Sequence, residues 1–391
     1  MKQILNNVRF LLVLLSILFF LSLTTGCWSS KEIESLSLVV GTALDKGEEL
    51  TDKGEYQENT PITLTMQLVN PQAMGTGKQG GESQQKPYIN VSDTEFSIKS
   101  ASEEISLRRE GIVFGQHQKL MVIGEDLIKE VSLQQLLDPL IRDRDTRDSC
   151  LVFIAKGKAS KALESNETSV IPSFHLIEIS ENQQSTKTMP PMSLAKLTGI
   201  MQSESSFLLQ NISSRNGEVK FEGAAIIKGK TKKLIGFFSK EELEGLTWIT
   251  GNGKGGIVET FGQETGQPIV YEIASMKSFI QPRINGNNIS FDVNIESEGR
   301  LSENWIVSGK LFENEILKNA EKAVEKEVKR LVENVVEKMQ KEYEVDVAGF
   351  GNRLRIEHPK IWGEIKKDWD QTFSEVPIKY NINLTIQDDG V

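Results

Sequence analysis

Between Ile289 and Ile386 the apolar residues of this chain change period twice, and that change constrains the fold more than any other feature. Ile289, Phe291, Val293 and Ile295 alternate with polar residues, as do Val376, Ile378, Tyr380, Ile382, Leu384 and Ile386, the period of strands buried on one face. Between them Ile316, Ala320, Val324, Val328, Leu331, Val335 and Met339 recur every three or four residues, a single apolar stripe on a long amphipathic helix near 312–343. Glu325/Lys329 and Glu337/Lys341 supply helical pairs on its other side. One stripe suits a helix that covers a sheet, so these segments are expected to form one layered unit with an antiparallel sheet. The turn Asn285-Gly286-Asn287 joins the first of the strands to one ending near Ile280.

Upstream, Phe221 to Ile227 and Leu234 to Phe238 read as a hairpin, Lys240 to Ile249 as a short helix, and Gly251 to Gly256 as a loop. Nearer the start, Ile33 to Leu44 and the alternating Ile62, Leu64, Met66 and Leu68 read as paired strands. Asp93 to Arg109 suits a helix, Leu120 to Gly124 a buried strand, Leu127 to Ile141 a helix, Leu151 to Ile154 a strand and Ala159 to Leu163 a helix start. Pro71 to Pro87 has no periodicity and almost no large apolar residue, which predicts a mobile Gly-rich loop. Polar stretches at Glu181–Pro191 and Asn211–Glu218 bracket a helical connector near 190–214 and put the main boundary near residue 215. The fold class is α+β and multi-domain, with mixed or antiparallel sheets and packed helices. Residues 27–214 form a first region, with room for two subdomains, and 215–391 a second.

Lys2 and Arg9 precede the apolar run Phe10 to Leu23, and Leu23-Thr24-Thr25-Gly26-Cys27 closes it with small residues before a thiol. That is the order of a signal peptide spanning 1–26, cleaved between Gly26 and Cys27. A cysteine at this position is the acylation point of a lipoprotein. Two acyl chains at about 0.8 kcal/mol per buried CH₂ hold a soluble body to a bilayer. Secretion with a free Cys27 and an uncleaved anchor are the other readings of the same residues.

With 55 acidic against 45 basic residues the chain carries a formal charge of −10, which disfavours nucleic acid and an anionic bilayer surface as partners. The membrane contact is therefore expected to be the lipid. Cys150 is the other of the two cysteines, set before Leu151-Val152-Phe153-Ile154, and is expected to be buried and unreactive, with stability resting on ordinary cores.

Signals for catalysis, metal or cofactor are missing. The three histidines, His117, His175 and His358, form no ligand pair, and no H-E-x-x-H, C-x-x-C or G-x-S-x-G occurs. Gly223 to Thr231 ends like a phosphate loop but has strand formers Ile226-Ile227 at its centre, so a hairpin turn is expected. The mixed charge run Arg142 to Asp148 reads as a solvated face, and His117 as a structural histidine.

A set of short motifs, in order, resembles the C subunits of spore germinant receptors, the Ger(x)C lipoprotein family. They begin with Gly26-Cys27-Trp28, Glu32 to Leu36, Gly41 and Asp45-Lys46, then Leu68-Val69-Asn70-Pro71. Gly115-Gln116-His117, Gly124-Glu125, Leu140 to Asp143 and Ala155-Lys156-Gly157 follow. The second half contributes Gly223 to Ile226, Lys233 to Gly236, Glu242 to Trp248 and, above all, Gly349-Phe350-Gly351 with Pro359 and Trp362. Ser29, where the family tends to have an acidic or amide residue, and Thr24, in place of an aliphatic, depart from the pattern.

The resemblance implies a non-catalytic lipoprotein, tethered through acylated Cys27 to the outer face of the inner spore membrane and assembled with polytopic A and B subunits. Gly349, Phe350, Gly351 and Trp362 are its candidate structural or partner-contact residues. A solute-binding lipoprotein of an uptake system is the alternative. It requires lobes of parallel strands around a cleft, which the antiparallel alternation opposes.

Overall fold

The computed structural model describes residues 2–23, 36–48, 59–70, 73, 85–143, 146–167, 169–182, 184–262, 266–286, 288–305 and 314–387. Gly26, Cys27 and nearly all of the expected Gly-rich loop at 71–87 lie outside the described residues. Helix α1 (Lys2–Leu23) carries the apolar run, and its described side chains are exposed.

The first sheet is organised on β1 (Leu36–Lys46), which pairs antiparallel with β2 (Ile62–Val69), itself paired with β3 (Tyr88–Glu95). Helix α2 (Ile98–Leu107) starts at the Ser97 cap and buries Ile98, Ala101 and Ile105. Strands β4 (Ile112–Phe114) and β5 (Leu120–Gly124) both run parallel to β1. Helices α3 (Glu125–Glu130) and α4 (Leu133–Arg142) lead to β6 (Leu151–Lys156), parallel to β5. A 3₁₀ turn (Ala159–Leu163), α5 (Pro172–Ser180), β7 (Met192–Ser193) and α6 (Leu194–Met201) lead to β8 (Phe207–Arg215), parallel to β6. The antiparallel strands β9 (Glu218–Ile227) and β10 (Leu234–Phe238) complete the order β10-β9-β8-β6-β5-β1-β2-β3, with β4 on β1 and β7 on β6. Helices fall between the parallel strands because a parallel pair needs a crossover. Every residue of β5 is buried, as a strand covered on both faces must be.

Helix α7 (Lys240–Thr250) opens with a Ser239/Glu242 capping box and stops at Gly251 in the left-handed region. The second sheet follows in the order β11 (Ile257–Phe261), β12 (Pro268–Asn285), β13 (Asn288–Asn304) and β14 (Ile378–Ile386). Between the last two strands lie α8 (Asn314–Glu337), a π turn (Lys338–Glu342), α9 (Phe350–Glu357), α10 (Pro359–Ile365) and α11 (Trp369–Phe373). The stripe of α8 is buried at Ala320, Val324, Val328, Leu331, Val335 and, beyond it, Met339, against Phe291, Val293 and Ile295 of the sheet.

Several expectations need correcting. Strands β12 and β13 are antiparallel, but β14 runs parallel to β13, because α8 carries the chain back along the sheet and delivers it in the same direction. The stretch Leu127 to Ile141 is two helices, since Ser132 and Gln135 form a capping box that starts α4. Asp93 to Glu95 belong to β3, and the helix begins only at Ile98. Its preceding strand escapes a hydrophobic reading because only Ile89 and Val91 alternate as apolar residues, and its other face meets β2 through polar side chains. Thr63 and Thr94 hydroxyls lie 2.8 Å apart, Thr65 and Ser92 likewise, and Gln67 Nε2 donates to Asn90 Oδ1 at 3.0 Å. The connector at 190–214 is helical only over Leu194–Met201, and Phe207–Arg215 is a strand of the first sheet.

The turn at Asn216-Gly217 therefore joins two hydrogen-bonded strands, and alternate residues of β9 face different cores. Ala225 and Ile227 pack with the first core, Ala224 and Ile226 with the second. One hairpin serves both halves of the chain. Cys150 is buried and free, and burial pushes its thiol up to about 12.

Candidate functional site

The Gly349-Phe350-Gly351 turn is built around a residue that sequence reading passed over, Asp346. Its Oδ1 accepts the N–H of Gly349 at 2.8 Å and of Phe350 at 3.1 Å, and its Oδ2 accepts the N–H of Gly351 at 2.6 Å. The Trp369 indole N–H donates to Oδ2 at 3.0 Å. Those backbone groups are the orphan donors at the start of α9, so the carboxylate caps the helix and complements its dipole. Burial pushes the Asp346 carboxyl above the usual carboxylate range, and the four N–H donors pull against that shift. The signal was available as an aspartate three residues before a glycine that starts a helix.

Each part of the motif has a separate geometric reason. Gly349 sits at φ +89°, where a side chain is strained. Phe350 is fully buried, edge-on to Phe291 with centroids 5.1 Å apart and 5.3 Å from Phe373. A Cβ on Gly351 would lie 2.6 Å from the Trp369 indole nitrogen, so this glycine makes room for the ring. Trp362, half-buried on α10, meets Trp369 at 5.4 Å in a T-shaped pair. The structure thus brings together all four of the sequence-predicted residues from this end of the chain. Both Asp346 oxygens are occupied by the protein's own donors, which is the arrangement of a packing centre.

The carboxyl ends of the parallel strands are where an open α/β sheet binds ligands. Here that position is filled from within, by the Asp45 carboxylate at the end of β1. It accepts the N–H of Ala159 at 2.6 Å and of Ser160 at 2.9 Å, at the start of the 3₁₀ turn. A shallow groove alongside is lined by Lys46, Thr63, Thr94, Lys158 and Ser160. His117 and His175 are exposed on separate elements, His117 beside the Phe114 ring at 5.6 Å. Among the described residues no three His, Cys, Asp or Glu side chains are grouped to hold a metal. The phosphate-loop-like stretch is the end of β9 and its turn.

Residues 29–214 match the family described as spore germination protein N-terminal domain, and 222–390 match spore germination B3/GerAC like, C-terminal. The chain belongs to this family of two-part spore germination proteins. It is 44% identical over 378 residues to spore germination protein YndF of Bacillus subtilis (strain 168), covering 94% of this chain and 93% of that one. It is 31% identical to spore germination protein B3 of the same organism, covering 96% and 97%. The crystal structure of the GerBC protein matches with a TM-score of 0.61 at 27% identity, over 89% of this chain and 97% of that chain.

Proposed function

We propose that the protein is a non-catalytic, lipid-tethered subunit of a spore nutrient germinant receptor, anchored through Cys27 at the outer face of the inner spore membrane and assembled with polytopic A and B subunits. The observation that carries this reading is the match over both halves of the chain to proteins named for spore germination. The order of Lys2, Arg9, the apolar run and Gly26-Cys27 supports the tether. No helix among the described residues is long and apolar enough to cross a membrane. The Asp346 carboxylate, with both oxygens taken by the protein's own N–H groups, supports a packing role for this end of the chain.

The test is co-purification of the tagged chain from spore membranes beside a Cys27→Ala variant, with partners identified by mass spectrometry. Two polytopic receptor subunits with the native chain, and loss of membrane retention in the variant, are expected. Recovery of a permease and its ATPase would overturn the reading in favour of solute uptake.

A further inference from the structure

One face of the second sheet packs on α7 and α8, and much of the other is exposed among the described residues. At one corner of the exposed face the register aligns three apolar residues across three strands. Phe261 of β11 pairs with Pro268 of β12, and Trp305, just past β13, donates its backbone N–H to the Pro268 carbonyl at 3.3 Å. Cross-strand neighbours share a face, so the two aromatic rings flank Pro268 on adjacent strands. Phe261 is 58% exposed and Trp305 59%. Ile257, two pleats along β11, is 48% exposed on the same face. Large apolar groups clustered in the open mark a contact surface, and tryptophan is the residue most enriched where binding energy concentrates.

The neighbours in the next pleat select the partner. Glu259 of β11 pairs with Val270, and Val270 pairs in turn with Glu303 of β13, so a carboxylate stands on either side of Val270 in the row beside the apolar one. Glu303 also accepts the Trp305 indole N–H at 3.1 Å, which fixes the ring in its exposed position. Two such faces brought together would oppose their glutamates, and an anionic bilayer would be repelled in the same way. We propose that Phe261, Trp305 and Ile257, with Glu259 and Glu303 at their side, form a docking surface for a partner protein whose contacting segment is apolar and positively charged. The identification of that partner with a receptor subunit rests on the proposed function; the surface chemistry does not.

The first test uses the chain from residue 28 onward, without lipid. Among the described residues every buried core residue lies at or beyond Leu36, and the described side chains of α1 are exposed, so removing the leader takes none of them. Its binding to an amphipathic Lys/Leu helical peptide is compared with binding to the Glu/Leu counterpart. Preference for the Lys/Leu peptide is expected, weakening with salt and falling about thirtyfold in a Phe261→Ala/Trp305→Ala variant, as for loss of a hot spot. Both substitutions are at exposed positions, and a Glu259→Lys/Glu303→Lys variant, which keeps the aromatics, should reverse the peptide preference. Equal binding by native and variant chains, preference for the Glu/Leu peptide, or self-association or anionic-vesicle binding in its place would overturn the proposal. The same variants are then recovered from spore membranes. Loss of the polytopic subunits with unchanged retention of the chain assigns the partner, whereas failure of the native chain to recover them counts against the receptor reading alone.

Discussion

The indole N–H of Trp369 donates to the same Asp346 oxygen that accepts the Gly351 N–H, so one atom ties the start of α9 to α11. Replacing Asp346 by Ala leaves four donors without a partner in a buried place. A loss on the order of 3–5 kcal/mol is expected in denaturant titration, with Asp346→Asn losing less because one carbonyl oxygen remains. Equal stability of Asp346→Ala and the native chain would refute the capping role.

The two glycines of the motif should respond differently. At Gly349 an added methyl meets nothing within 4 Å, and the cost is that of the left-handed backbone, about 1–2 kcal/mol. At Gly351 the methyl would have to displace the Trp369 ring, which is 2.6 Å away, and about 1–3 kcal/mol is added by overpacking while the near-ultraviolet signal of the tryptophans changes. A Gly351→Ala chain with native tryptophan spectra would contradict this assignment.

Glu244 of α7 is buried, with Oε1 accepting the Thr186 hydroxyl at 3.2 Å and Oε2 lying 3.6 Å from Lys187 Nζ. Burial raises its pKa, opposed by Lys187 and Thr186. Between the ordinary glutamate value of about 4.3 and the raised folded value, the folded chain holds a proton that the unfolded chain has released. Stability contributed by this group is therefore full below that window and falls as pH rises through it. Melting temperatures measured across mildly acidic pH should show a shallower fall for Glu244→Gln than for the native chain.

On α8, Glu321 and Glu325 stand one turn apart and accept the N–H groups of Ile386 at 2.9 Å and Leu384 at 3.2 Å. These two donors lie on the outer edge of β14, so the helix closes an edge that would otherwise be a template for another strand. Glutamine at both positions keeps an acceptor and should be nearly neutral. Alanine at both should cost about 1–3 kcal/mol and raise the rate of aggregation on mild heating, measured by light scattering.

Cys150 should resist thiol reagents in the native chain and react only as fast as the protein unfolds, because the thiolate is scarce and the sulfur enclosed. Rapid labelling under native conditions would show that β6 opens locally.

Elements whose pattern is set by burial were legible in the sequence. The α8 stripe, the β9–β10 hairpin and the alternation of β13 and β14 each follow from which residues face a core. Strand β3 was not, because its apolar alternation is only two residues long, Ile89 and Val91, while Asn90, Ser92 and Thr94 meet polar partners on β2. The direction of β14 was not either, since alternation fixes which face is buried and says nothing about the sense of the neighbour. At the candidate site Gly349, Phe350, Gly351 and Trp362 stood out as residue types with special backbone or volume needs. Asp346 did not stand out: its local capping of Gly349, Phe350 and Gly351 has a sequence signal that was passed over, and only its bond to Trp369, 23 positions further on, has none.

Strand β14 is the last of the described elements, and it inserts beside β13 only after four α-helices have intervened. A nascent chain that has reached Asp370 therefore still has a bare flank on β13 and two helix carboxylates with nothing to bind. The first sheet, in contrast, has all its strands once Phe238 has emerged. Synthesis thus runs through a stage in which one half can already be shut while the other waits for β14. A premature stop within β14 would leave the second half open, so late truncations should be as damaging as early ones.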